Sequence, residues 1–321
     1  MGLALSVAEA IRLGEGVDWE AGAALFAAAA AVQKVSKAEC VTAVLEMLKP
    51  LGELAPHYHV KLASAASELS KLDEDAVREI ADAVDGALQK HGKKLEERAW
   101  LLVEAVRAYS NLLTKHAEYF REELELMRGR MCELLEKLEG QMRVIAEAFA
   151  LLPALERGLE PCGGGGAAKK AKGLLGELER MEGEEPSEQA KEWAKEWEFK
   201  PEGFKLLVKN LRGALAHALA KYTMDNDDLE AAKEIFESAA AIDRELESWG
   251  NYLAARSRAA RCSVLKAGSL EELKGSAKIS GSLWSEAKGH EEATASLTYL
   301  RNEACILAEY LVSLALEGKD G

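Results

Sequence analysis

The chain has 321 residues, 48% of them hydrophobic and 30% charged, with a net charge of −14. That balance excludes a disordered chain, and the acidity disfavours general binding to phosphate backbones. Only six prolines, abundant Ala, Leu, Glu and Lys, and no run of alternating Val, Ile or Thr point to an all-α fold.

In chain order, Met1 to Ser6 lacks the basic segment of a signal peptide. Its Met-Gly-x-x-x-Ser spacing loosely matches a myristoylation pattern, but the apolar Leu3 to Leu5 fit a helix equally well. Leu3 to Leu13 and Asp18 to Lys34 form a first hairpin, turned at Gly14 and Gly16. Ala21 to Val32 is the longest apolar run and is too short to span a bilayer, so no membrane contact is expected. Ser36 to Glu39 is a capping box for a helix with Val41, Val44, Leu45 and Leu48, closed by Pro50 and Gly52. Pro56 opens His57 to Leu69. Ser70 to Asp73 leads into a helix with Val77, Ile80, Ala81, Val84 and Leu88, ending near Gly92. Longer helices follow over Leu95 to Lys115, Ala117 to Leu138 and Gln141 to Leu152, the last kinked or ended by Pro153.

Pro161 to Gly166 breaks the chain, because four consecutive glycines do not hold a helix. One helix (Lys169 to Met181) and a polar turn (Glu182 to Ser187) come next. An aromatic cluster of Trp193, Trp197, Phe199 and Phe204 opens the second half. Phe204, Leu207, Val208, Leu211, Leu215, Ala218, Leu219 and Tyr222 then recur three and four apart. Leu229, Ala232, Ile235, Phe236, Ala239 and Ile242 do the same, as do Tyr252, Ala255, Ala259, Cys262 and Leu265. Asp227 is the expected N-cap of the middle helix, with Glu230 completing a capping box. Beyond Gly268, Ser269 to Glu272 caps a short helix, Trp284 anchors another, and Leu297 to Leu316 closes the chain.

Asp18 to Val32 aligns without gaps against Asp228 to Ile242, with Asp18, Glu20, Ala21, Phe26, Ala29, Ala30 and Ala31 identical to their counterparts. Such self-similarity marks stacked hairpins, since one hairpin cannot bury its apolar face alone. Ala232, Phe236 and Ala239, with Leu219 and Ala220 upstream, carry a spacing that resembles the tetratricopeptide repeat; Ser280, Trp284 and Ala287 repeat the triplet, and Arg244 stands where that repeat's closing proline belongs. The resemblance implies antiparallel hairpins stacked as an α-solenoid. The glycine break divides the chain into two halves: 1–160, a glycine-rich linker with one helix over 161–190, and a tetratricopeptide-like half over 191–321.

Five cysteines (Cys40, Cys132, Cys162, Cys262, Cys305) are odd in number and form no C-x-x-C pair. Cys40, Cys132, Cys262 and Cys305 fall inside helical patterns as small apolar residues, which suits a reducing, cytoplasmic compartment. Gly163 to Lys169 lacks the Gly-Lys-Ser/Thr ending of a phosphate loop. His57 and His59 are two apart, not the four that align imidazoles on a helix. Asp225 to Asp228 lacks the glycine and glutamate of a calcium loop. No nucleophile elbow is present. No catalytic residue, cofactor or metal is therefore expected.

The deviation that points to function is basic. Arg256, Arg258 and Arg261, near Arg244 and Lys266, concentrate positive charge in an acidic chain. In tetratricopeptide repeats the corresponding helix lines the concave groove, where some members use Asn, Lys and Arg to clamp a peptide's terminal carboxylate. The resemblance thus implies partner binding by Asn251, Arg258 and Arg261. Arg256 adds charge, and Trp193, Trp197 and Tyr252 are the expected anchors. Against this stands pairing of the arginines with Glu234, Glu237 or Glu245 on the neighbouring helix. The expected function is a non-enzymatic scaffold or adaptor for a partner peptide or helix. The alternatives are a structural protein self-associating through Met127, Met131, Leu134, Leu135 and Leu138, and a regulatory module touching nucleic acid through the arginines. The dense Glu, Lys and Arg resemble the composition of proteins from heat-loving microbes.

Overall fold

The structure, a computed structural model, describes residues 60–61, 63–64, 66–68, 72–96, 98–120, 122–196 and 201–266. Every regular element among them is helical: α1 Glu74–Glu96, α2 Ala99–Lys115, a 3-10 turn Ala117–Phe120, α3 Leu124–Glu136, α4 Gly140–Arg157, α5 Ala167–Gly183, α6 Glu188–Glu196, α7 Pro201–Asp225, α8 Leu229–Glu245 and α9 Trp249–Lys266. The helices pack on one another in two compact units. The first holds the described residues up to Gly165 together with 186–196; the second holds 166–185 and 201–266. The first hairpin with Phe26, Cys40, the histidines at 57 and 59, Trp197, and everything from Ser269 onward lie outside the described residues.

The first unit is built around α2. Thirteen of its 17 residues are buried, and only the narrow stripe of Arg107, Asn111, Thr114 and Lys115 reaches toward solvent, so it is the central helix. The reason is its sequence, Trp100-Leu-Leu-Val-Glu-Ala-Val106, which is apolar around the whole cylinder apart from Glu104. Helices α1, α3, α4 and α6 all pack on it. Asp73 starts α1 by accepting a hydrogen bond from the Ala76 N–H at 2.9 Å, and Glu74 and Asp75 favour the positive helix end. Ser187 caps α6 in the same way through the Ala190 N–H, 3.2 Å.

Two expectations are corrected here. The stretch 117–138 is not one helix; a 3-10 turn precedes α3. Nor does Pro153 end α4, which continues to Arg157. A proline leaves the carbonyl four residues back without its helical N–H. That carbonyl belongs to Phe149, and it accepts a hydrogen bond from the Ser110 hydroxyl of α2 at 2.5 Å. Gly158, with φ of 69°, then stops the helix in the left-handed region.

The second unit runs antiparallel, as its cross-helix pairs show. Lys209 meets Glu245, Gly213 faces Ile242, and Ala220 clusters with Ala232 and Phe236, so α7 and α8 are opposed. Phe236 lies under Arg258 and Glu230 pairs with Lys266, so α8 and α9 are opposed too. α5 packs along α7, joined by Arg212 of α7, which pairs with Glu179 at 2.9 Å and Glu182 at 2.7 Å.

The two turns of this unit are built alike. Asp227 (φ 62°) and Glu247 (φ 54°) both adopt the left-handed conformation. The Asp227 N–H bonds to Met224 O and the Asp228 N–H to Thr223 O; the Glu247 N–H bonds to Arg244 O and the Ser248 N–H to Asp243 O. These are paired Schellman closures. They also move the expected cap: Asp227 terminates α7, and Asp228 caps α8 by accepting from the Ala231 N–H at 3.3 Å. Phe236 is fully buried, as its place in the apolar stripe requires.

Candidate functional site

The expected site residues divide into a buried set and a surface set. Trp193 belongs to the first. It is 2% exposed, and its indole N–H donates to Glu104 Oε1 at 2.9 Å. It is a core residue of the first unit and not a partner anchor, because the indole has a polar acceptor waiting inside. Trp197 lies outside the described residues. Tyr252 is also core: it is 8% exposed and clusters with Ala216, Ala239, Ala240, Ile242, Leu253 and Ala255. Trp249 meets its ring edge-on, with 5.8 Å between centroids.

The surface set lies on α9, where three- and four-residue spacings put Asn251, Ala254, Arg258, Arg261 and Leu265 on one stripe. Asn251 is exposed and Arg258 and Arg261 are half-buried; Leu265 is among the exposed large apolar side chains. The Arg258 guanidinium stands 5.9 Å from the centre of the Phe236 ring, an electrostatic contact that orients its planar head. Arg261 precedes Cys262, whose thiol pKa is pushed up by burial, with the Arg261 charge working the other way. Arg256 projects from another side of α9 and does not join the stripe; its Nε is buried without a hydrogen-bond acceptor. Of the acidic residues expected to neutralise the arginines, Glu245 is held by Lys209.

A buried polar network in the first unit was not expected from sequence. Glu104 is fully buried. Besides Trp193, it accepts from the Ser64 hydroxyl at 2.6 Å, and the Arg107 guanidinium lies 3.6 Å away. Arg107 also pairs with Glu68 and sits 5.6 Å from the Phe149 ring centre. Burial works against its charge, but Glu104 and Glu68 outweigh that and hold its pKa above the ordinary guanidinium value. The signal available in the sequence was Glu104 itself, a lone carboxylate in an apolar run. In the second unit, His217 Nε2 lies 2.6 Å from Oδ2 of the buried Asp243.

A cleft of about 220 Å³ opens between α1, α2 and α3, lined by Leu88, Leu102 and Leu134 with Arg130, Glu133 and Lys137. Across it, Asp85 accepts from the Tyr109 hydroxyl and pairs with Arg130. Burial, with help from Glu133, raises the Tyr109 pKa above its ordinary value.

The self-association seam is also corrected. Met127, Met131, Leu134, Leu135 and Leu138 are all buried, since they are the face that α3 turns into its own unit. Cys132, expected to be free, is bonded to Cys162 with 5.3 Å between Cα atoms. That removes the cysteine argument for a reducing compartment, because disulfides persist mainly in oxidising compartments or in heat-adapted cells. Cys262 is free and buried. No helix among the described residues is long and apolar enough to cross a membrane, and no group of three or more His, Cys, Asp or Glu among them is placed to hold a metal. No family model matches the chain, and neither a curated protein nor a solved structure matches it.

Proposed function

We propose that the chain is a helical-repeat scaffold of tetratricopeptide-like design that binds a partner peptide by its terminal carboxylate, with α9 as the reading helix. The observation that carries this is the stripe Asn251, Arg258, Arg261 on one face of α9, ending in the exposed Leu265. Guanidinium groups match a carboxylate in shape and charge, and an apolar residue beside them gives a partner side chain somewhere to rest. In a chain of net charge −14, a cationic stripe is a local exception that selects for an acidic group. The two alike turns support a repeating design. They place α9 one 20-residue step after α8, from Leu229 to Trp249. A two-helix period built from such steps is about 40 residues, longer than the ~34 of the tetratricopeptide repeat.

With Trp193 and Tyr252 in the core, recognition rests on Asn251, Arg258, Arg261 and Leu265. The test is binding to an array of short peptides of varied sequence, comparing the natural chain with Arg258→Glu plus Arg261→Glu. Peptides retained by the first and lost by the second support the proposal. Equal binding by both removes it.

A further inference from the structure

We propose that the Cys132–Cys162 bond is a thiol-responsive clamp, a modification site that takes a 1,4-dithiol as its co-reactant and sets whether the glycine segment after α4 is held against α3. The bond joins the middle of α3 to the turn that follows α4. Both residues are half-buried and neither is shut inside the core; disulfides become more exchangeable as their exposure rises.

The two sides of the bond differ in what else holds them. α3 is seated independently by Met127, Met131, Leu134 and Leu135, all buried. In the segment 158–166 Pro161 alone is buried. Four of its glycines, Gly158, Gly163, Gly164 and Gly165, have positive φ, so it recovers much backbone freedom when released. Arg128, one helical turn before Cys132, also ties it to α3. The Arg128 guanidinium reaches the Glu160 carbonyl at 3.4 Å and the Glu160 carboxylate at 3.7 Å. Glu160 is exposed, and such a pair holds weakly by itself. Removing the covalent link therefore frees the segment and leaves the helix in place. The site matters for the architecture because the chain leaves the first compact unit at Gly165, inside the clamped segment.

The chemistry balances as thiol–disulfide exchange. One thiolate of the dithiol attacks a protein sulfur, breaking the S–S bond and forming a mixed disulfide. The second thiol displaces the first protein sulfur, and the dithiol leaves as a cyclic disulfide. Two electrons and two protons pass to the protein, giving two cysteine thiols; an external disulfide reverses the exchange.

The test is hydrogen exchange on the full chain purified without reductant, before and after dithiothreitol, beside Cys132→Ser and Cys162→Ser. Peptide mapping of the starting protein is expected to recover the Cys132–Cys162 linked pair. Reduction is expected to speed exchange in 158–166 by about tenfold or more, with α2 and α3 changed by less than about twofold, as local opening requires. Both variants are expected to match the reduced protein; if either fails to fold, the reduced natural chain decides. Absence of the linked pair, no change in 158–166, resistance to dithiothreitol until denaturant is added, or loss of protection throughout α2 and α3 would each overturn the proposal.

Discussion

The hydroxyl of Ser110 donates to the carbonyl of Phe149 at 2.5 Å, and Phe149 is the residue whose helical partner Pro153 cannot supply. Two sequence features that look unrelated, a serine in a buried helix and a proline inside another, thus form one device. Ser110 is fully buried, so no solvent replaces it. Ser110→Ala is expected to lower stability by about 1–3 kcal/mol, the cost of an orphaned buried carbonyl. Adding Pro153→Ala restores an N–H four residues on and is expected to recover most of that loss. Urea denaturation of the four proteins in a double-mutant cycle checks it; strictly additive losses would show that the two residues are not coupled.

Trp193 and Glu104 form a second such pair, and here the prediction separates core from surface. Trp193→Phe keeps most of the apolar volume but leaves Glu104 Oε1 without the indole donor. The expected loss is again about 1–3 kcal/mol, rising to about 3–5 kcal/mol for Trp193→Ala, which adds a cavity. Peptide binding by the folded Trp193→Phe protein is expected to equal that of the natural chain. Lost binding with unchanged thermal stability would return Trp193 to the recognition surface.

Tyr109 gives a pH dependence with a defined sign. Burial first, and then the Glu133 charge, raises its pKa in the folded state. The unfolded chain therefore loses this proton first, near the ordinary tyrosine value of about 10. Stability from this group is complete below that pH and declines as pH rises above it. Urea midpoints taken from about pH 8 to 11 are expected to fall in the natural chain and to fall less steeply in Tyr109→Phe. Parallel curves for the two proteins would contradict the assignment.

The helical class and the hairpin order of the second unit were legible in the sequence, because the stripes through Leu215, Phe236 and Ala259 recur at helical spacing and short turns force neighbours together. The expected cap slipped by one residue, to Asp228, because a left-handed Asp227 looks like a cap in sequence. That α4 runs on past Pro153 was not legible locally, because the compensating Ser110 lies 43 positions away. The surface role given to Trp193 failed for the same reason: its partner Glu104 is 89 positions distant. The Cys132–Cys162 bond was hidden because pairing depends on where the turn after α4 comes to rest, which spacing does not encode. For the candidate site, Asn251, Arg258 and Arg261 share a stripe because they share one helix, while Arg256 was grouped with them by proximity in sequence alone.

The measurement that bears most directly on carboxylate recognition by α9 is the affinity of a peptide bound by the natural chain, compared as free acid and as C-terminal amide. Amidation removes the charge and one oxygen while leaving the side chains in place. The expected result is a loss of about tenfold or more on amidation, the scale of one charge-assisted hydrogen-bonded contact, with the same acid and amide bound equally weakly by Arg258→Glu plus Arg261→Glu. Equal affinity of the natural chain for acid and amide would contradict it.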